Sequence, residues 1–404
     1  MKETRPVEES KNKTRLWIYP LLFVITFIVT TIAGAEWMYG RLFSYIGPDF
    51  VFVVPGFSFI VPVITFIGPG LTSVELLSGL EYSIPFLAFL TFHEFGHYFT
   101  ARYYHVKVTL PYYLPVWLGF MGILSFGTMG AFIRIKEPIK SRLEYFDIGV
   151  AGPFAGFIIA LFILSYGFTH LPPKDYIYKI HPEYREYGEN YAEHFYNEPG
   201  SFYLGDNLTF LFFKKYVATD PELVPNPFEI IHYPWLFSGF LALFFTALNL
   251  LPIGQLDGGH ALYGLFGIKN HGKISTVMFI LLLLYGGFGL VTPFDPVEDL
   301  MLYVPIYIGF LFIIMRSMRV STRTRLLLAV SIFTTQFVAV LFLPANRGYA
   351  GWLVFAFIIG RFLGINHPPA LYDQPLSPGR KILGWITLII FVISFAPRPF
   401  VMLQ

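Results

Sequence analysis

The sequence predicts an all-α polytopic membrane protein, whose helices cross the bilayer several times. Of its residues 55% are hydrophobic and only 13% are charged, which is far from the balance of an ordinary soluble domain. The apolar residues also gather in runs long enough to cross a hydrocarbon core of about 30 Å. The formal net charge of +2 gives no indication of a nucleic-acid partner. We therefore expect the lipid bilayer to be the surroundings of most of the chain.

The first 80 residues are predicted to form an N-terminal unit. Residues 1–15 are polar and mixed in charge, which favours a cytosolic tail over a cleaved signal peptide. A first apolar span follows near residues 16–34. The run 49–69 is also apolar, but prolines and glycines interrupt it. We expect this run to be a re-entrant or interfacial segment rather than a full crossing.

The next apolar span, near residues 83–104, contains the pattern His-Glu-x-x-His. His93 and His97 are four residues apart, so on a helix their imidazoles lie on one face and reach a single metal ion. Glu94 lies beside the ion without binding it. His93 is about 15 Å along the helix from Ser83, and therefore near the middle of the bilayer. A charged side chain there costs about 2.5–3.5 kcal/mol, so it usually serves a site. A polar helix-helix contact or a proton relay is the alternative.

The region between this span and the next, near 146–168, is apolar but unlike a helix. Prolines and glycines punctuate Leu110 to Ile135, and residues 130–135 are predicted to form a short strand. The loop 170–232 is rich in tyrosine and carries ten acidic against five basic side chains, a difference of minus five. A solvated cap outside the membrane and a screen for the extramembrane parts of binding partners both fit this composition.

Asp257 is the candidate for a third metal ligand. A hydrolytic zinc site needs three protein ligands and an open position for water, and the chain has 0 cysteines, so imidazole and carboxylate must hold the metal. Asp257 follows an apolar span near 234–252, where Pro252 and three glycines interrupt the helix. Interrupted helices at membrane depth are buried or line a cavity. For Asp-Gly-Gly alone, a turn at a helix end is the alternative.

Residues 271–404 are predicted to form an accessory unit of further membrane helices, with spans near 274–292, 301–316, 325–344, 349–365 and 382–397. Basic residues orient the bundle. One cluster lies between Arg134 and Arg142 and another between Arg316 and Arg325. Both should be cytosolic by the positive-inside rule, so the helix that carries His93 runs from outside to inside.

The two motifs together resemble a known family. His93-Glu94-x-x-His97 in one span, with Asn249-x-x-Pro252 and Leu256-Asp257-Gly258 in a later one, is similar to the site-2 protease family of intramembrane metalloproteases, peptidase family M50. The resemblance implies a three-helix catalytic core within residues 81–270. It also implies one Zn²⁺ held by His93, His97 and Asp257, with Glu94 as the general base and Asn249 as a polar helper near the substrate or the oxyanion.

Two further segments acquire expectations from this resemblance. Leu110 to Ile135 would be a re-entrant β-hairpin, which either pairs with an unwound substrate or seals the cavity. Gly152 and Gly156 would form a G-x-x-x-G surface that packs the metal-bearing helices closely.

His105 and His260 are interpreted as interfacial or helix-end residues, and His367 as part of a rigid turn.

The resemblance implies an intramembrane zinc endopeptidase. Its active site would open towards the cytosol, and its substrates would be membrane-spanning proteins, cleaved in regulated intramembrane proteolysis. A metal or proton transporter and a non-catalytic regulator that binds membrane spans are the alternatives.

Overall fold

Helices make up most of the protein, which confirms the predicted all-α membrane fold. The computed structural model describes residues 16–43, 51–54, 57–60, 70–196, 201–344 and 347–403. The helices are α1 (Ile18–Tyr39), α2 (Ser73–Ser78), α3 (Leu80–Tyr103), α4 (Arg142–Thr169), α5 (Ile177–Ile180), α6 (Tyr191–Phe195), α7 (Leu208–Tyr216), α8 (Pro234–Asn249), α9 (Asp257–Gly286), α10 (Val297–Ile314), α11 (Thr322–Phe342), α12 (Gly351–Ile358) and α13 (Pro378–Ser394). The strands are β1 (Val51–Val54), β2 (Phe57–Ile60), β3 (Tyr112–Val116), β4 (Gly127–Phe132), β5 (Phe202–Leu204) and β6 (Phe400–Met402), and they form three two-stranded antiparallel pairs: β1-β2, β3-β4 and β5-β6.

The long helices identify a multi-pass membrane protein. Within the described residues, five helical segments are long and apolar enough to cross a bilayer: α1, α2 with α3, α4, α10 with the short 3₁₀ turn after it, and α11. Shorter apolar helices are α8 and α12 with its π-helical extension Ile359–Leu363. Each predicted span coincides with a helix. The largest difference between a predicted span and its helix is at α9, which begins at Asp257 instead of near residue 274 and has a kink at Gly267. The sequence pattern missed the first half of this helix because that half is polar.

The predicted re-entrant segment 49–69 is described only in part. Val51–Val54 pairs with Phe57–Ile60, with Val51 opposite Ile60. Strands of four residues extend about 13 Å, well short of a bilayer core. The remainder of this run, and the predicted cytosolic tail of residues 1–15, lie outside the described residues.

The segment after α3 forms the predicted hairpin. β3 pairs with β4 so that Tyr112 lies opposite Phe132, and the register shifts between Tyr113 and Pro115. The strand starts at Gly127, three residues earlier than the sequence predicts. The backbone of Gly127 has φ of 78°, and a Cβ at this position would lie 2.4 Å from Thr30 Cα of α1. Only glycine therefore allows the strand to approach α1 this closely.

Helix α4 is the centre of the bundle and packs against α3, α8 and α9. It begins where the Ser141 hydroxyl accepts a hydrogen bond from the Glu144 N–H at 3.1 Å. Close contact with α3 requires glycine on both helices. A Cβ on Gly96 would lie 2.6 Å from the Ala151 carbonyl oxygen. Small residues therefore bring the helices that carry the two motifs to one place.

The two basic clusters lie at the same end of the bundle. Arg142 at the start of α4 pairs with Asp373 at 3.1 Å, and the Asn366 amide donates to the Ser317 carbonyl at 3.3 Å. The connection between α12 and α13 therefore touches both clusters. The acidic loop 170–232 follows the opposite end of α4.

Candidate metal centre

His93 and His97 lie one turn apart on α3 and face each other. Their Nε2 atoms are 3.1 Å apart, and both side chains are buried. Asp257 completes the group, because its Oδ2 atom lies 3.4 Å from His93 Nε2 and 3.3 Å from His97 Nε2. The structure thus brings together the three residues predicted as metal ligands from two distant parts of the chain.

A tight turn between α8 and α9 delivers Asp257. Gly254 has φ of 61°, and its N–H donates to the Ser275 hydroxyl at 3.0 Å. A Cβ on Gly258 would lie 2.0 Å from the Leu250 carbonyl oxygen, so the chain can double back only with glycine there. Asp257 is then the first residue of α9, where the positive end of the helix dipole favours a carboxylate.

The three distances fit a tetrahedral metal ion. With bonds of about 2.0–2.1 Å, the ligand atoms of such an ion lie about 3.3 Å apart. The observed separations of 3.1, 3.3 and 3.4 Å have this size. Three corners of a tetrahedron are therefore preformed, and the fourth corner is left to water or substrate.

The hydrogen bond of His97 explains why its Nε2 atom can bind a metal. The Nδ1–H of His97 donates to the Ile148 carbonyl of α4 at 2.7 Å, so the neutral ring presents its lone pair on Nε2. That lone pair points at the His93 Nε2 atom and the Asp257 carboxylate. An imidazole lone pair and a carboxylate meeting at these distances call for a cation between them. His93 Nδ1 has no hydrogen-bond partner among the described residues.

Glu94 and Asn249 border the cluster. Glu94 is buried next to His97, and its carboxylate interacts with the backbone of Ile133, just after β4. The Asn249 side-chain nitrogen, at the end of α8, lies 3.4 Å from His93 Nε2. A carboxylate and an amide, the kinds of group that can move a proton and stabilise a developing oxyanion, therefore lie next to the three ligand-type side chains.

The cluster is open on one side. The side chain of His93 is 3% exposed and that of His97 10%, whereas that of Asp257 is 18% exposed. The hairpin lines the neighbouring wall, where the Tyr113 hydroxyl of β3 is 2.7 Å from the Thr91 hydroxyl of α3. Asp257 is therefore the most exposed member of the cluster.

Gly152 and Gly156 make room for the imidazoles. A Cβ on Gly152 would lie 2.1 Å from His97 Nε2, and one on Gly156 would lie 3.1 Å from His93 Nδ1. The glycine surface therefore does more than pack two helices, since it receives the two histidine rings themselves.

The weaker histidine candidates lie apart from these ligands. His260, in the first turn of α9, places Nδ1 2.7 Å from His367 Nε2 and stacks on Tyr145. His367 also lies outside the cluster. Its Nε2 atom faces His260, and its Nδ1–H donates to the carbonyl of Pro368 at 2.6 Å. His105 follows α3 with a left-handed backbone, φ 56°, and is exposed.

The sequence analysis missed a second group of side chains of the types that can bind a metal. Among the described residues, His181, Glu229 and His232 also bring their ligand atoms within 4.8 Å of one another. In the sequence Glu229 is one of the ten acidic residues of the loop 170–232. The available signal was Glu229-x-x-His232, a spacing that places both side chains on one face of a turn. His181, however, lies 48 residues before Glu229 by number, and nothing in the sequence pairs them.

Comparisons with known proteins agree with the metal centre. The family model of peptidase family M50 matches residues 81–291. A rice protein (Oryza sativa subsp. indica) named probable zinc metalloprotease EGY2, chloroplastic, is 28% identical over 214 residues, which cover 52% of this chain and 34% of the relative. An Arabidopsis thaliana protein named probable zinc metalloprotease EGY1, chloroplastic, is 30% identical over 185 residues, 46% of this chain and 29% of the relative. The matched part is therefore about a third of the length of these relatives. No solved structure matches the chain.

Proposed function

This chain belongs to peptidase family M50, and we propose that it is a zinc-dependent endopeptidase that cleaves membrane-spanning proteins within or near their transmembrane segments. One observation carries the proposal. His93 and His97, on a helix that is long and apolar enough to cross the membrane, converge with Asp257 at the start of α9 at 3.1–3.4 Å, with a carboxylate, Glu94, beside them. The substrates would be membrane-anchored proteins, as in regulated intramembrane proteolysis.

The residues of the site divide the work of hydrolysis. His93, His97 and Asp257 would hold a zinc ion, which would supply Lewis-acid polarisation of the scissile carbonyl and would make water nucleophilic near neutral pH. Glu94 takes the proton of the attacking water and delivers it to the leaving amine. The Asn249 amide donates a hydrogen bond to the oxygen on which negative charge develops.

The hairpin supplies backbone partners for the substrate. A transmembrane helix must unwind before its carbonyls can be attacked, and unwound backbone in lipid lacks hydrogen-bond partners. β4 runs towards Glu94, and Met129 on this strand is 65% exposed. A substrate strand laid against the hairpin therefore reaches the site by β-augmentation. Because the chain has 0 cysteines, a Met129→Cys variant should form a disulfide with a cysteine near the scissile bond, whereas the equally exposed Phe162→Cys should not.

The site opens towards the cytosolic side of the membrane. Support comes from the two basic clusters, which share the end of the bundle where α3 ends and α4 begins. A cysteine introduced at Lys140 should react with a membrane-impermeant maleimide from the cytosolic side. Labelling from the other side alone would reverse this orientation.

The decisive experiment replaces Glu94. The Glu94→Gln variant keeps the size of the side chain and the three ligands but cannot accept the proton. We expect it to retain zinc and to lose cleavage of a transmembrane substrate in proteoliposomes. Glu81→Gln, an exposed position on the same helix, is the matched control and should cleave normally.

Two outcomes would contradict the proposal. Retained cleavage by Glu94→Gln would remove the residue from the mechanism. Zinc flux across the proteoliposome membrane without any peptide cleavage by the unmodified chain would instead indicate a transporter.

A further inference from the structure

The second group of ligand-type side chains lies in the extramembrane loop, away from the proposed active site. His181 precedes the 3₁₀ turn Pro182–Glu186, while Glu229 and His232 flank and end the 3₁₀ turn that leads into α8. The Nε2 atoms of His181 and His232 are 3.2 Å apart, and His232 Nε2 lies 3.6 Å from Glu229 Oε2. These separations are again close to about 3.3 Å, the distance between two ligand atoms of a tetrahedral zinc ion.

Both imidazoles present a lone pair to the same point. The Nδ1–H of His232 donates to the Met38 carbonyl, at the end of α1, at 2.7 Å. The Nδ1–H of His181 donates to Glu183 Oε1 at 3.1 Å. In each neutral ring Nε2 is therefore an unprotonated acceptor, and a carboxylate or carbonyl behind the ring is the usual partner of a metal-bound histidine. Two lone pairs at 3.2 Å repel each other unless a proton or a cation lies between them.

Glu229 is the second, independent observation. Its side chain is 1% exposed, and neither carboxylate oxygen has a hydrogen-bond partner in the part of the chain that the structure describes. The Tyr184 hydroxyl lies near the carboxylate, but its hydrogen bond at 3.0 Å is made with Tyr196. A buried carboxylate without partners is costly in a folded protein.

Protonation does not remove this cost. A protonated carboxyl would need an acceptor for its O–H, and 3.6 Å to His232 Nε2 is too long for one. Neutral His232 and neutral His181 would still direct their lone pairs at each other.

We propose that His181, Glu229 and His232 bind a second divalent cation of the zinc class, which holds the extramembrane loop against the membrane helices. Two imidazoles and one carboxylate are a common zinc donor set, and water completes the tetrahedron. The site does not depend on the proposed protease function.

Its position defines its role. His181 belongs to the loop, His232 leads into α8 and bonds to the end of α1, and α8 carries Asn249 at its far end. A cation here joins three segments that are otherwise connected by long stretches of chain. The site is therefore structural, and it clamps the loop where α1 and α8 meet.

Zinc content measures the proposal directly. The chain is purified in detergent, saturated with zinc, separated from free ions and analysed by plasma mass spectrometry. We expect about two zinc ions per chain. Glu229→Gln and Asp257→Asn should each retain about one, and the double variant none. His194→Gln, an exposed histidine in the same loop, is the matched control and should retain two.

The failures of the two sites are distinguishable. One zinc per chain that disappears in Asp257→Asn but not in Glu229→Gln overturns the second site and leaves the protease proposal intact. One zinc that disappears in Glu229→Gln alone does the reverse.

A gentler variant covers the case in which Glu229→Gln does not fold. Glu183→Gln changes a carboxylate that is 53% exposed and leaves all three ligands in place. Loss of the carboxylate behind His181 should weaken the loop site about 10- to 100-fold. Titration with a competing chelator measures this change, and an unaltered affinity of both zinc ions would contradict the proposal. The Asp257→Asn variant should keep zinc at the loop site alone. Removal of that zinc should therefore speed proteolysis of the loop.

Discussion

The two clusters of this protein have nearly the same ligands but very different surroundings. The intramembrane cluster is flanked by the Glu94 carboxylate and by the Asn249 amide, and it is partly exposed at Asp257. In the loop cluster a hydrogen bond at Nδ1 holds each ring in place, and among the described residues Glu229 is the one carboxylate grouped with the two Nε2 atoms. The different neighbours are the reason why we propose that similar ligands serve catalysis in one place and hold the fold together in the other.

The largest expected effect separates the clusters by activity. Asp257→Asn weakens the intramembrane ligand set and should reduce kcat/KM for a transmembrane substrate by more than about 10³-fold, since the reaction loses its Lewis acid. Glu229→Gln should reduce it by less than about 10-fold, because the loop site contacts no reacting atom. Parallel cleavage assays on both variants, with zinc supplied in excess, make the measurement.

Equal losses would break the comparison. If Glu229→Gln abolished cleavage as completely as Asp257→Asn while keeping the intramembrane zinc, the loop cation would have a part in the reaction. Far-ultraviolet circular dichroism and gel filtration of both variants control for unfolding.

The difference between the clusters also explains what the sequence could predict. His93 and His97 are recognisable because a helix places residues four apart on one face, and the depth of their span makes polar residues conspicuous. Asp257 could be inferred from the glycines and proline that break its helix. Each of the nine predicted spans coincides with a helix, and five helical segments of the described residues are long and apolar enough to cross a membrane. The start of α9 did not follow from an apolar run, because its first residues are helical but polar.

The remainder depends on contacts that local patterns do not encode. His181 meets His232 only because the loop folds back over the ends of α1 and α8. The pairing of His260 with His367 joins the first turn of α9 to the connection before α13, and the sequence analysis had interpreted both residues as ends or turns. Long-range convergence of single side chains requires the tertiary structure.

The next effect tests the neighbours of the intramembrane cluster. Asn249→Ala removes the amide that lies 3.4 Å from His93 Nε2 and leaves the ligands in place. Loss of one donor to a developing oxyanion should lower kcat about 10²- to 10³-fold, with KM little changed and zinc retained. Steady-state kinetics with parallel zinc analysis make the measurement. A rise in KM at constant kcat would assign Asn249 to substrate binding instead.

The smallest effect sharpens what each cluster needs from its surroundings. The intramembrane imidazoles occupy space left by glycine, and a Cβ on Gly152 would lie 2.1 Å from His97 Nε2. Gly152→Ala must therefore displace the ring or the helix, and a shift of about 1 Å in a reacting group costs about 10²-fold in rate. We expect that loss in kcat/KM together with weaker binding of one zinc ion, while the loop zinc stays bound. The matched control is Gly309→Ala in α10, where a Cβ would meet nothing within 4 Å. If Gly152→Ala behaved like Gly309→Ala, α4 could accommodate the added Cβ without loss of activity or of zinc affinity. The glycine surface would then serve helix packing alone. If it released both zinc ions, the clusters would be coupled through the bundle rather than independent.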